Sequence, residues 1–130
     1  MHTGRCFCDA INYEITGALG AAYYCHCSRC RKISGSAFTA NAVVAPDRFV
    51  VTRGEALLKS FTTADGIRRT FCSNCGTHLF VGQGDQMRLR LGTLDGPLNT
   101  PMQMHIFTAS KAEWHEILDD LPQHAERAVV

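Results

Sequence analysis

Short segments in which apolar and polar residues alternate occur along most of this sequence. In Ile11-Asn12-Tyr13-Glu14-Ile15 every second residue is apolar, and the same period of two recurs in residues 87–91 and 102–106. A strand with one face on a core shows this period, because successive side chains point to opposite faces of the sheet. We therefore predict antiparallel strands in these segments.

Other short apolar runs, rich in β-branched or aromatic residues and bounded by Gly, Pro or Asp, indicate further strands. These runs lie at residues 21–25, 38–44, 49–52, 57–61, 67–71 and 79–81. Asp65-Gly66 and Gly84-Asp85 are typical of hairpin turns. The pattern predicts a mainly β fold of short antiparallel sheets, and no linker or repeat divides residues 1–130 into more than one domain.

Two segments have a helical pattern instead. Ser110-Lys111-Ala112-Glu113 matches a capping box. An apolar stripe at helical spacing follows it, formed by Trp114, Ile117, Leu118 and Leu121. We therefore predict one C-terminal helix that docks on the sheet and ends at Pro122. A shorter helix is predicted from Ser28 to about Ser34, where Gly35 is placed to cap it.

The composition narrows the class of protein. Of the 130 residues 45% are hydrophobic and 19% are charged, and the net charge is +1, so we expect neither a nucleic-acid nor a membrane partner. No apolar run reaches the roughly 18 residues that cross a bilayer, and the first residues lack the apolar segment of a secretion signal. These observations predict a cytoplasmic protein.

All seven cysteines fall into three tight clusters, Cys6-Phe7-Cys8, Cys25-His26-Cys27-Ser28-Arg29-Cys30 and Cys72-Ser73-Asn74-Cys75. In a reducing compartment, clustered thiols are more often metal ligands or catalytic groups than disulfides, and seven thiols cannot all pair. A closed structural zinc site takes four thiolates. The remaining three would then hold a second zinc ion whose fourth position is open.

The pair Cys72 and Cys75, followed by Gly76, is typical of a zinc knuckle, because a glycine there can adopt positive φ and direct backbone amides at the sulfurs. A knuckle supplies two ligands. The natural second pair is Cys6 and Cys8, so we predict a structural zinc site formed by these four residues. The alternative is that the four are buried, inert thiols.

Cys25, Cys27 and Cys30 can lie on one face of a turn that leads into a helix, and three protein ligands with one vacancy are usual for a catalytic zinc. Three thiolates around a divalent ion leave a net charge near −1, so this zinc would be a weak activator of water. A sulfur-rich site favours another sulfur as its fourth ligand. We therefore expect a small-molecule thiol to bind here.

Other interpretations of this cluster stay open. His26, His78 or His105 could supply a fourth ligand and make the site purely structural, or the cysteines could include a redox pair. His26, between two ligands, is expected to be a residue that supports the ligands or lies at the surface. Arg29, Arg31 and Lys32 could offset the negative charge of the cluster, bind a substrate carboxylate, or simply form a solvated face.

These motifs resemble those of the glutathione-dependent formaldehyde-activating enzyme family, which also includes centromere protein V. The similarity extends from Gly4 to about Pro122. It rests on Gly4-x-Cys6-x-Cys8, on Cys25-His26-Cys27-x-x-Cys30-Arg31-Lys32-x-x-Gly35-Ser36-Ala37-Phe38, and on Phe71-Cys72-x-x-Cys75-Gly76. The resemblance implies a β-tent fold, a structural zinc on Cys6, Cys8, Cys72 and Cys75, and a catalytic zinc on Cys25, Cys27 and Cys30.

The resemblance also implies an activity. The family is named for joining glutathione to formaldehyde to give S-hydroxymethylglutathione, which is a carbon-sulfur lyase reaction run in reverse. We therefore expect a zinc-dependent enzyme of this class, acting on a small-molecule thiol and an aldehyde. The alternative from another class is a non-catalytic, zinc-stabilised binding module, which a shared fold alone would allow.

Overall fold

Ten short strands are described in the computed structural model of the protein, which describes residues 1–127. They are β1 (His2–Arg5), β2 (Asn12–Ile15), β3 (Ala22–Cys25), β4 (Thr39–Val44), β5 (Phe49–Arg53), β6 (Leu58–Thr62), β7 (Arg68–Cys72), β8 (His78–Gln83), β9 (Gln86–Arg90) and β10 (Met104–Ile106). Short 3-10 turns lie at Pro46–Arg48, Glu55–Leu57, Leu91–Thr93 and Thr108–Ser110. The mainly β fold predicted from the sequence is confirmed.

The strands form two sheets. One has three strands in the order β1-β2-β5, and the other has seven in the order β10-β3-β4-β9-β8-β7-β6. Every pairing is antiparallel except that of β10 with β3, which is parallel. Both predicted hairpin turns are present: Asp65-Gly66 connects β6 to β7 and Gly84-Asp85 connects β8 to β9, each with its glycine at positive φ.

The main core lies between the small sheet and one face of the large sheet. Ile11, Tyr13 and Ile15 are each 1% exposed, as the alternation predicts, and they pack in one cluster with Leu79 and Leu89 of the large sheet. Burying a side chain of this size stabilises the fold by about 1.5–3 kcal/mol. The core therefore fixes which face of the large sheet points outward.

The outward face of the large sheet carries candidate functional residues. Met87 and Leu89 of β9 point into the core, so the alternate residues Arg88 and Arg90 point to the other face. A second, smaller apolar cluster lies on this side. It consists of Tyr23, Cys25, Cys30 and Ile106.

The short helix predicted near Ser28 is present as α1 (Ser28–Ser34). Cys27 precedes it as the N-cap, and its sulfur accepts a hydrogen bond from the amide of Cys30 at 3.3 Å. Gly35 ends the helix at φ 64°, and its amide donates to the Arg31 carbonyl at 2.9 Å. Within residues 1–127, no helix is long and apolar enough to span a bilayer.

The predicted C-terminal helix is wrong. Ser110 ends a 3-10 turn, the residues after it are irregular, and Trp114 and Leu118 of the expected apolar stripe are 70% and 83% exposed. The backbone of residues 122–126 bonds instead to residues 105–109, for example from the amide of His105 to Pro122 O at 2.9 Å and from that of His124 to His105 O at 2.9 Å. His105 is only 3% exposed, although the alternation placed it on the solvent side, because His26, Asp119 and the ring of Tyr24 lie against its side chain.

Candidate metal centres and the adjoining cavity

Four cysteines converge between the two sheets in what we call the four-cysteine site, formed by Cys6, Cys8, Cys72 and Cys75. Their sulfurs all lie within 4.8 Å of one another, with 3.6 Å from Cys6 to Cys8 and 3.9 Å from Cys8 to Cys72. Four sulfurs about 2.3 Å from a zinc ion in a tetrahedron would lie about 3.8 Å apart. The residues therefore fit a tetrahedral metal ion.

Backbone and hydroxyl groups support the sulfurs of this site. The amide of Ile11 donates to Cys6 Sγ at 3.3 Å, and that of Cys75 to Cys72 Sγ at 3.5 Å. Thr77 Oγ1 lies 3.1 Å from Cys75 Sγ and accepts a bond from the amide of Phe7 at 2.9 Å. Gly76 has φ 81°, the positive value that a knuckle turn requires. Such donors stabilise thiolate charge.

The other three cysteines form the three-cysteine site on the outward face of the large sheet. Cys25 ends β3, Cys27 caps α1 and Cys30 lies in its first turn, and their sulfurs all lie within 4.8 Å of one another. Cys25 and Cys30 are buried, whereas Cys27 is half-buried. A strand end and a helix start therefore hold three thiols on one side of a possible ion.

Hydrogen bonds among the three thiols shift their pKa values in different directions. Hydrogen bonds to Cys27 and Cys30, together with burial, raise the pKa of Cys25. Hydrogen bonds from Cys25 and Cys30 lower the pKa of Cys27 to about 2. Cys27 thus remains a thiolate because the neighbouring thiols donate hydrogen bonds to it. A divalent metal ion would stabilise the thiolate form of all three cysteines.

No histidine or carboxylate of residues 1–127 joins these sulfurs as a fourth donor. His78 accepts a bond at Nδ1 from Arg90 Nε at 3.1 Å, and His105 is bonded through both ring nitrogens. Within residues 1–127, none of the candidate histidines therefore completes a closed four-ligand site with these cysteines.

A cavity of about 460 Å³ opens beside the three-cysteine site. Its walls come from β3, α1, the strands of the large sheet and residues near the C-terminus. Five arginines and two acidic residues line it: Arg29, Arg69, Arg88, Arg90, Arg127, Asp65 and Glu126. A volume of this size suits a small ligand, and the excess of arginine favours an anionic one.

Arg90 is a cavity arginine whose charge interacts with the thiols of Cys25 and Cys30. It is 8% exposed, and it donates to Thr39 Oγ1 at 3.0 Å, to Asn41 Oδ1 and to His78. Burial lowers the pKa of Arg90, and the charges of Cys30, Tyr23 and Cys25 oppose that effect. Its guanidinium therefore offsets part of the negative charge of the three-cysteine site.

Tyr23 of β3 also lines the cavity. Burial raises its pKa to about 12, so the hydroxyl keeps its proton near neutral pH. Within the described part of the chain, this hydroxyl makes no hydrogen bond to another protein group, unlike that of Tyr13. It is a proton donor without a protein acceptor, on the wall of a ligand-sized cavity.

A chain of hydrogen-bonded side chains, His26, His105 and Asp119, supports the segment that carries the three-cysteine site. His26 is fully buried, and its Nε2 lies 2.8 Å from Nδ1 of His105, whose Nε2 lies 3.0 Å from the Asp119 carboxylate. Burial, followed by the charge of His105, lowers the pKa of His26 to about 4, so its ring is neutral. His26 is thus a buried supporting residue and not a surface one.

Of the three basic residues considered beside the cysteines in the sequence, one lines the cavity. Arg29 lines the cavity but is paired with Asp65, while Arg31 and Lys32 are not part of its lining. Arg69, Arg88 and Arg90 were missed. The signal was present for two of them, because Arg88 and Arg90 alternate with core residues in a segment already predicted to be a strand.

Comparison with known proteins identifies the chain's relatives. Residues 1–110 match the family model described as glutathione-dependent formaldehyde-activating enzyme. Among curated proteins, the chain is 37% identical over 78 residues to one from Penicillium rubens, and 32% identical over 81 residues to one from Talaromyces marneffei. Both relatives carry the provisional name glutathione-dependent formaldehyde-activating enzyme.

These matches differ in how much of each protein they cover. The two alignments cover 58% and 59% of this chain, but 41% and 43% of the fungal proteins, so the chain spans about two fifths of the length of these relatives. A crystal structure of a Rhodobacter sphaeroides protein aligns with a TM-score of 0.62 and 22% identity, covering 73% of this chain and 89% of that one. At that identity the likeness shows the fold alone.

Proposed function

The chain belongs to the glutathione-dependent formaldehyde-activating enzyme family, and on that premise we propose that it catalyses the addition of a small-molecule thiol to an aldehyde. Glutathione and formaldehyde are the first candidates, because the family and the fungal relatives are named for them. The product would be S-hydroxymethylglutathione, which makes the protein a carbon-sulfur lyase acting in reverse. We propose zinc as the metal of both cysteine sites, structural at the four-cysteine site and catalytic at the three-cysteine site.

The proposed reaction is balanced by one proton transfer. The thiol sulfur forms a bond to the aldehyde carbon, and the carbon-oxygen double bond becomes a single bond. The proton lost from sulfur is matched by one gained at oxygen. No oxidant, reductant or other co-reactant is needed.

The observation that carries the proposal is that three thiols converge at the edge of a cavity of about 460 Å³, with no fourth donor in the described residues. A zinc ion held there would supply a soft Lewis acid that favours a fourth sulfur ligand and lowers the pKa of a substrate thiol. A closed four-ligand site would not offer this position.

Residues around the cavity would supply a proton donor, a compensating positive charge and support for the segment that holds the cysteines. Tyr23, which lines the cavity, would donate its hydroxyl proton to the oxygen that becomes the product alcohol. The guanidinium of Arg90 offsets part of the negative charge of the thiolates. His26 lies between Cys25 and Cys27, and its ring bonds to His105, which bonds in turn to Asp119. Its amide donates to Ile106 O at 3.0 Å, so both bonds hold this segment in place.

The proposal is tested by replacing Cys25, Cys27 and Cys30 with serine together. We expect the variant to fold, because the main core and the four-cysteine site are untouched, while thiol addition to formaldehyde falls to the uncatalysed rate. Exchange spectroscopy by NMR measures that rate, and circular dichroism checks the fold. Lys32→Ala, an exposed change in α1 outside the cavity lining, is the control and should keep full activity.

A contrary result has a clear meaning. If the zinc-loaded protein neither binds thiols nor changes the rate for any of several aldehydes, the enzyme proposal fails. The non-catalytic, zinc-stabilised binding module would then take its place.

A further inference from the structure

We propose that Arg69 and Arg88 form a carboxylate-binding subsite that selects thiols bearing a carboxylate over uncharged thiols. This inference rests on the proposed function, because it specifies the class of thiol that the cavity takes. It also replaces the sequence-based expectation that Arg31 and Lys32 bind the substrate carboxylate.

The sheet register places the two arginines side by side. Arg88 of β9 pairs with Val81 of β8, and Val81 pairs in turn with Arg69 of β7. All three residues line the cavity. Since neighbouring strands lie about 4.8 Å apart, the Cα atoms of the two arginines are separated by roughly 10 Å, a gap that two long side chains can close around one anion.

Neither arginine has an acidic partner in residues 1–127. Arg69 is only 6% exposed, and its Nη1 donates to the neutral Thr63 Oγ1 at 2.9 Å; Arg88 Nη2 donates to Gln86 Oε1 at 3.2 Å. A buried cation bonded only to a neutral group, as Arg69 is, is costly, and most guanidinium donors of the pair have no hydrogen-bond partner among residues 1–127. The pair is therefore suited to an anion from outside the protein.

Two of the other cavity arginines, Arg29 and Arg90, are already engaged by protein groups. Arg29 is paired with Asp65, and Arg90 is held by Thr39, Asn41 and His78 close to the cysteines. Arg88 precedes Arg90 by two residues on β9 and points to the same face, so their Cα atoms are about 7 Å apart. The cysteines and the Arg69–Arg88 pair thus line separate parts of one cavity, as a ligand with a thiol and a carboxylate at different positions requires.

A ligand without a thiol tests the subsite separately from the chemistry. S-methylglutathione keeps both carboxylates of glutathione but has a methylated sulfur, and its dimethyl ester has neither carboxylate. We expect zinc-loaded wild-type protein to bind the acid about 10- to 100-fold more tightly than the ester in isothermal titration calorimetry, as charge-assisted hydrogen bonds would give.

Matched variants assign the effect to residues. Arg88→Gln should weaken binding of the acid by about 10- to 100-fold and leave binding of the ester unchanged. Arg68→Gln is the control, because Arg68 is the exposed neighbour of Arg69 on the opposite face of β7. Arg69→Gln should resemble Arg88→Gln, provided that thermal melting shows it folded.

The outcomes separate the two proposals. If the acid and the ester bind wild-type protein equally, or the acid does not bind, the subsite is overturned, whatever the protein does to glutathione and formaldehyde. If the acid binds selectively and Arg88→Gln abolishes the preference, the subsite stands even where no thiol addition is catalysed. Selective binding that survives Arg88→Gln overturns the assignment to this pair.

Discussion

Tyr13 and Tyr23 are both buried tyrosines, and burial raises the pKa of each hydroxyl to about 12. The hydroxyl of Tyr13 lies 2.7 Å from Thr93 Oγ1 inside the main core, where it is part of the packing. That of Tyr23 faces the cavity of the three-cysteine site without a protein partner in residues 1–127. The same chemical group is therefore structural in one place and available to a substrate in the other.

We expect Tyr23→Phe to lower the rate of thiol addition by about 100-fold, because a positioned proton donor typically contributes at least that factor. Metal content and melting temperature should remain those of the wild type, since no hydrogen bond to residues 1–127 is lost. Tyr13→Phe is the matched control: it removes the bond to Thr93, costs about 1 kcal/mol of stability and leaves the rate unchanged. A Tyr23→Phe protein with the wild-type rate in NMR exchange measurements would exclude Tyr23 as the donor.

At the scale of elements, local patterns predicted the structure well where local bonding decides it. The strands, both hairpin turns and α1 follow from alternation, from Asp65-Gly66 and Gly84-Asp85, and from the position of Gly35. The segment after Ser110 had equally good local signals for a helix. It is irregular instead, and residues 122–126, which follow it, bond to residues 105–109, a pairing that the helical pattern does not reveal.

Asp119 anchors this C-terminal segment through His105, so Asp119→Ala should loosen it. We expect faster hydrogen exchange at the amides of Phe107 and Ala109, which bond to residues 126 and 125, with the sheet amides of β7 and β8 unchanged. Asp120→Ala removes an adjacent exposed carboxylate and should alter none of these rates. Equal exchange in the two variants would show that the bond to His105 does not hold the segment.

The cavity illustrates the limit of sequence reasoning about the site. Spacing sufficed to sort seven cysteines into groups of four and three, and the same groups converge in space. Spacing could not show that Arg69 and Arg88 lie side by side across the sheet, because their alignment depends on the register of β7, β8 and β9. Nor could it show that Asp65, from a turn, neutralises Arg29 of the helix.

At the scale of the whole molecule, the two cysteine sites have different roles in the architecture. Cys6 and Cys72 are part of the main core between the sheets, and Cys72 is fully buried. The three-cysteine site belongs to the smaller cluster and opens to the cavity. A metal at the first site would hold the two sheets together, whereas one at the second would hold only β3 and α1.

Dialysis against a mild chelator should therefore remove one zinc ion and leave the near-ultraviolet circular dichroism unchanged. Cys72→Ser, by contrast, should prevent stable folding, since structural zinc binding contributes on the order of 10 kcal/mol to folding. Metal analysis and circular dichroism on the same samples provide the measurement. Loss of both ions in one step, together with unfolding, would mean that the two sites form a single cooperative unit.

The spacing of the four-cysteine site also bears on how the chain is made. Cys6 and Cys8 leave the ribosome more than sixty residues before Cys72 and Cys75, with the entire segment of the three-cysteine site between them. Domains fold as their residues emerge during synthesis. The nascent chain must therefore carry half of a metal site exposed, open to oxidation or to a wrong partner, until β7 and the turn after it have been translated.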